Sequence, residues 1–404
     1  MKKLLSCLLI VLTILTLIVS ATFVEEKEKT EPPEEEVNEK DLWVEEQLSE
    51  MTIEEKIGQM LIVSDTTTTL DEDLLNNLNT VKPGGFILFS DNIKSYEQTK
   101  KLIEDINSTS DIPMFISIDQ EGGRVLRIKK LSDAKVTNIP SMYHLGLTKD
   151  TKLSYEVGKV VGEELRVFGI NMNFAPVLDI YSNKENTVIG DRSFGTTSDL
   201  VSKMALSFAE GQESTGIISV YKHFPGHGNT SEDSHYTLPV ITKTKEELMN
   251  LELKPFIEAI NNGADVIMIG HLAVPSITKD DTPASLSKEI ITDLLKNELG
   301  YNGLVITDAL NMDALTNEYT EEEIYINAIN AGVDILLMPD FDNETIEIIT
   351  NAIANGTIAI EEIDNSVEKI LELKYDKLFI ENPYTKEYLG STEHQEIISR
   401  IPTY

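Results

Sequence analysis

Residues 218–228 read ISVYKHFPGHG, and the change of character within those eleven residues decides the fold. The stretch 218–222 is short, apolar and β-branched, as a strand buried on both faces would be. After it the apolar pattern stops, and two histidines, a proline and two glycines follow. Such a run shapes a backbone that approaches a ligand closely.

The same event recurs along the chain. Apolar runs fall at 60–63, 86–89, 114–118, 171–174, 218–222, 266–269, 304–307 and 335–338. Amphipathic stretches with helical spacing lie between them, among them 95–106, 245–260, 287–299 and 321–329. Gly263 and Gly332 stand where helix C-caps are expected. Strands alternating with helices make βα units, and eight of them predict an α/β fold of the (β/α)8 TIM barrel type, as a single catalytic domain. An open doubly wound sheet is the alternative, but no Gly-rich phosphate loop follows the first strand.

In a barrel, reactive groups come from the C-terminal ends of strands. That rule selects Asp119 and Gln120 after strand three, Lys222 and His223 at strand five, His271 after strand six and Asp308 after strand seven. Four of the six histidines, His223, His227, His235 and His271, fall within 49 residues on this rim. His144 and His394 read as surface residues, and the single Trp43 as a packing residue. Asp308 and Asp119 also have structural readings, as a helix cap and a turn residue, and Arg124 as a partner of Glu121 or another rim carboxylate.

A metal-dependent amidohydrolase would use histidines after strands five and six, but it also needs a His-x-His pair after strand one. Here residues 62–65 read IVSD, and no histidine precedes His144. Glycosyl transfer needs a carboxylate nucleophile and a proton donor instead. The strings IDQEGGRV at 118–125, KHFPGHG at 222–228, DSH at 233–235 and ITDAL at 306–310 closely resemble glycoside hydrolase family 3, in its β-N-acetylhexosaminidase branch. The resemblance covers nearly all of residues 42–375. It implies a (β/α)8 barrel and a retaining mechanism without metal or other cofactor, releasing terminal N-acetylglucosamine from cell-wall glycan fragments. By the same resemblance Asp308 is the nucleophile, His235 the proton donor and Asp233 its partner. Asp119, Arg127, Arg192, Lys222 and His223 match positions that bind the sugar in the family. His227 and His271 read either as residues that shape the site without touching substrate or as contacts to it. Asn229, where an aspartate is expected, and Gly270 before His271 depart from the family pattern. The chain runs only 96 residues past Asp308, so a second α/β domain of the larger members is not expected. A phosphorylase or β-glucosidase of the same family, and a non-catalytic sugar-binding protein, remain as alternatives.

Asp308 at a strand end would be kept ionised by Lys222 or a nearby arginine, and a histidine beside Asp233 would titrate near neutrality. The 69 acidic against 34 basic residues give a net charge of -35, which repels nucleic acid and makes a phosphate acceptor less attractive. No protein partner is implied. Residues 4–24 are uncharged after Lys2 and Lys3, fitting either a cleaved signal or a retained anchor, and both place the domain outside the cytoplasm. Cys7 has no second cysteine to pair with. The organisation expected is therefore a signal or anchor at 1–24, an acidic Pro-containing tether at 25–40, the barrel at 41–390 and a tail at 391–404.

Overall fold

The computed structural model describes residues 38–228 and 238–402. The chain divides into two compact units, residues 1–42 and 43–404, and the second carries the barrel. The signal or anchor, and most of the tether, lie outside the described residues.

Eight parallel strands form one sheet: β1 (Leu61–Val63), β2 (Gly85–Leu88), β3 (Phe115–Ile118), β4 (Met172–Asn173), β5 (Ile218–Phe224), β6 (Val266–Ile269), β7 (Leu304–Thr307) and β8 (Leu336–Leu337). Their spatial order follows the chain, with β8 pairing β1 through Leu61 and Leu336. The parallel bridge between Ile306 and Ile335 completes the ring, so the (β/α)8 expectation holds. Almost every strand residue is buried, which explains why these strands read as continuous apolar runs and not as alternating ones.

Helices cover the outside. Those over Thr151–Phe168 and Ser198–Glu213 approach so closely that a Cβ on Gly158 would lie 2.0 Å from the Phe208 carbonyl oxygen. Only glycine permits that contact. Trp43 packs against Tyr375 and Phe379 at ring separations of 5.5 and 5.4 Å. Gly332 is the left-handed cap of the helix Glu321–Ala331, and Gly263 stands one residue past the cap Asn262.

Two expectations need correction. The stretch 245–260 is not one helix but two, Lys245–Asn250 and Lys254–Asn261. Pro255 explains the break: it fits the first turn of a helix but cannot donate from a helix interior. His394 is not a surface residue. It lies on a helix over Thr392–Ser399, is buried, and meets Glu163 Oε2 at 2.8 Å and Glu164 Oε1 at 3.1 Å. His144 is half-buried, with Nδ1 2.8 Å from Ser141 Oγ.

Candidate active site

The rim begins with Asn173 at the end of β4. Its side chain accepts from Gln120 N at 2.9 Å and donates to Gln120 O at 3.2 Å, which fixes the chain just after β3. Gln120 then accepts through Oε1 from the N–H groups of Arg127 and Ile128 at 2.9 and 3.1 Å. This folds residues Gln120–Gly122 against Val125–Leu126 as a small antiparallel ribbon. Gly122 and Gly123 turn it with φ of 118° and 57°, values that an L side chain rarely adopts. The result carries Arg127 back over Asp119, with Nη2 3.0 Å from Oδ2.

From that pair a row of alternating charge runs along the rim. Lys222 Nζ lies 2.7 Å from Asp119 Oδ1 and 2.6 Å from Glu121 Oε1. Glu121 holds Arg192 by a two-pronged pair, Nε to Oε2 and Nη2 to Oε1, both at 2.8 Å. Arg192 Nη2 reaches His223 Nε2 at 3.3 Å, and His223 Nδ1 lies 2.6 Å from Asp179 Oδ2. Lys222 and His223 are aimed there by a bulge: Tyr221 and Phe224 of β5 pair with Ile267 and Ile269 of β6, so three steps on one strand face two on the other.

Alternation sets the protonation states. Burial alone would raise Asp119 and Glu121, but Lys222 with Arg127 lowers the first and Arg192 with Lys222 holds the second well below the carboxylate range. Burial likewise opposes charge on Lys222 and Arg192, yet the facing carboxylates raise both. His227 differs: burial, assisted by His223 and Arg192, pushes it down to about 4 in spite of Asp179.

Asp308 follows β7, its N–H donating to Ile269 O at 2.8 Å and its Oδ1 accepting from Ala309 N at 2.8 Å. It is not a helix cap, because the next helix starts at Asp313 with Met312 in the cap position. Burial would raise it, but the imidazoles of His223 and His271, the Ala309 N–H and then Lys222 keep it lowered. His271 is buried between Ser285 Oγ at 2.8 Å and the Ala309 carbonyl at 2.9 Å, so it bears on the backbone beside Asp308.

Thus Asp119, Arg127, Arg192, Lys222 and His223 are brought into one network, with Asp308 within electrostatic reach of His223 and Lys222. Asp233 and His235 lie outside the described residues. Arg124 does not pair with Glu121, whose oxygens are taken; it meets Asp191 at 3.3 Å and the Ile189 carbonyl at 3.1 Å. Glu121, which the sequence offers only as a partner for Arg124, and Asp179, to which it assigns no part, are the two anions that organise the row. Asp179 had a signal that could have found it, as the first carboxylate after β4. Among the described residues no group of three or more metal-ligating side chains is gathered.

The family described as "Glycosyl hydrolase family 3 N terminal domain" matches residues 52–373. Beta-hexosaminidase A of Pseudoalteromonas piscicida is 33% identical over 335 residues, which are 76% of this chain and 56% of that one. The chain therefore spans little more than half the length of that relative. Beta-hexosaminidase LpqI of Mycobacterium tuberculosis is 30% identical over 329 residues, covering 79% of this chain and 82% of that one. Among solved structures, a glycoside hydrolase family 3 beta-N-acetylglucosaminidase from Paenibacillus sp. str. FPU-7 superposes with a TM-score of 0.81 at 36% identity, covering 87% of this chain and 68% of that one. Matched by that family over most of its length, this (β/α)8 barrel belongs to glycoside hydrolase family 3.

Proposed function

We propose that this chain hydrolyses terminal β-linked N-acetylglucosamine from cell-wall glycan fragments, with retention of configuration and no metal, and that it does so outside the cytoplasm. The observation that carries the reading is Asp308, held ionised at the end of β7 and facing a rim of sugar-binding character. The names of the relatives, beta-hexosaminidase and beta-N-acetylglucosaminidase, support the substrate class. The uncharged run at 4–24 supports export.

In the first step an Asp308 oxygen bonds to the anomeric carbon as the bond to the aglycone breaks, and the leaving oxygen takes a proton from His235. In the second, water attacks the same carbon, neutral His235 takes its proton, and the Asp308 carboxylate leaves. Asp233 would tune and orient His235. Arg127, Lys222 and Arg192 offer donors to sugar oxygens, while Asp119 accepts from hydroxyls. Arg127 Nε, buried without a hydrogen-bond partner, has a donor to spare.

Chromogenic β-N-acetylglucosaminide and β-glucoside, tested side by side with EDTA and with phosphate, examine this reading. The acetamido sugar should be turned over with strong preference, at a rate unchanged by chelation, and released as free sugar even in phosphate. Equal turnover of the glucoside, sugar phosphate as product, or loss on EDTA restored by zinc would each overturn a different part of it.

A further inference from the structure

Asp179 lies beyond β4 at 1% exposure, and its carboxylate is committed to two residues of the histidine-rich turn. Oδ2 lies 2.6 Å from His223 Nδ1 and accepts from His223 N at 3.3 Å, while Oδ1 accepts from His227 N at 2.6 Å. Its own carbonyl accepts from Ser193 Oγ at 2.6 Å, next to Arg192, so main chain and side chain are both fixed. An ionised carboxylate only accepts, so the proton between Asp179 and His223 sits on Nδ1. On the opposite edge of the ring, Arg192 Nη2 stands 3.3 Å from Nε2, and a guanidinium only donates. Arg192 cannot turn away, because Glu121 grips it with two oxygens. The ring is therefore told its tautomer from both sides.

That tautomer has a chemical use. Arg127, Lys222 and Arg192 are donors only, and both oxygens of Asp119 already receive cations. The single lone pair of an unprotonated Nε2 on His223 receives the Arg192 N–H, so the guanidinium is anchored by His223 as well as by Glu121. We propose that Asp179 is a positioning residue for sugar binding: it locks His223 as the Nδ1–H tautomer and so keeps Nε2 the acceptor that holds Arg192 in place. The inference rests on Arg192 being a sugar-binding residue, as read above. Its logic is that of any histidine whose orienting carboxylate selects which nitrogen works.

Asp179→Asn tests it with little change of shape, since the amide can donate to Nδ1 and drive the proton to Nε2, against Arg192. Long-range proton–nitrogen NMR on the ¹⁵N-labelled full chain, with His223 assigned by its absence from His223→Gln, should show Nδ1–H in the wild type and Nε2–H in the variant. KM for the N-acetylglucosaminide should rise about 10- to 100-fold, the loss expected when a charge-assisted hydrogen bond is misdirected, with kcat changed less and melting retained. Nε2–H in the wild type, or a switched tautomer with KM unchanged, would overturn the proposal. The wild-type spectrum decides even where the variant does not fold. It also needs no substrate, so a chain that cleaves no hexosaminide would sink the functional reading while the tautomer is still read.

Discussion

His223 and His394 are both buried imidazoles set against carboxylates, and they differ in what the second ring nitrogen meets. His394 is bound on both nitrogens by Glu163 and Glu164, and Glu164 Oε1 also accepts from Thr137 Oγ1 at 2.6 Å and Gly390 N at 2.8 Å. These bonds pin the helix Thr392–Ser399, with the Thr137 and Gly390 segments, to the helix Thr151–Phe168. His223 commits only Nδ1 to a carboxylate and turns Nε2 to a guanidinium on the rim. The first is a staple and the second a working part. The number of carboxylates on the ring, two on His394 against one on His223, and not burial, separates them.

Asp308 gives the hardest test of the rim half of this comparison. Asp308→Ala should cost at least about 10⁴-fold in kcat, as removal of a nucleophile does elsewhere, with melting little changed because its side chain hydrogen-bonds to the adjacent Ala309 N–H. Equal turnover by the variant would take the chemistry away from this rim. Glu121→Gln should act on structure and binding together. It removes one of the two carboxylates paired with buried Lys222 and the carboxylate paired with Arg192, so chemical denaturation should show a loss of ~3–5 kcal/mol, and KM should rise as both cations shift. A variant as stable as the wild type would mean that the row of charges is not a single unit.

The difference between the two histidines also shows what sequence can and cannot give. The barrel was legible because strands buried on both faces have no polar alternation to confuse the count, and the rim followed because polar residues directly after such strands stand out. Asp119, Lys222 and Asp308 were found that way. Glu121 and Asp179 were not given their part, since their task is set by partners 71 and 44 residues away and only folding supplies those distances. The bulge that aims Lys222 and His223 leaves no mark in an apolar run. His394 misled for the opposite reason: a histidine on a late, charge-rich helix resembles a solvent-facing residue until Glu163 and Glu164 arrive from 230 residues upstream.

The smallest effect belongs to that staple, and its sign can be worked out. Burial disfavours the His394 imidazolium, but Glu163 and Glu164 outweigh it and raise the histidine to about 9, against about 6.5 in an unfolded chain. A raised pKa means the folded state binds the proton more tightly, so the staple contributes fully below about pH 6.5. Its contribution is lost as pH rises through 9, where a neutral ring leaves two carboxylates side by side, with Lys159 3.6 Å from Glu163. Urea unfolding at pH 6 and at pH 9.5 should therefore show the wild type losing roughly 1–3 kcal/mol through this site. His394→Gln cannot take up the proton, so it should begin less stable at pH 6 and lose correspondingly less on going to pH 9.5, while turnover at the rim stays unchanged. If wild type and variant lose stability in parallel over that window, His394 does not carry the charge assigned to it, and the contrast with His223 would have to be drawn on geometry alone.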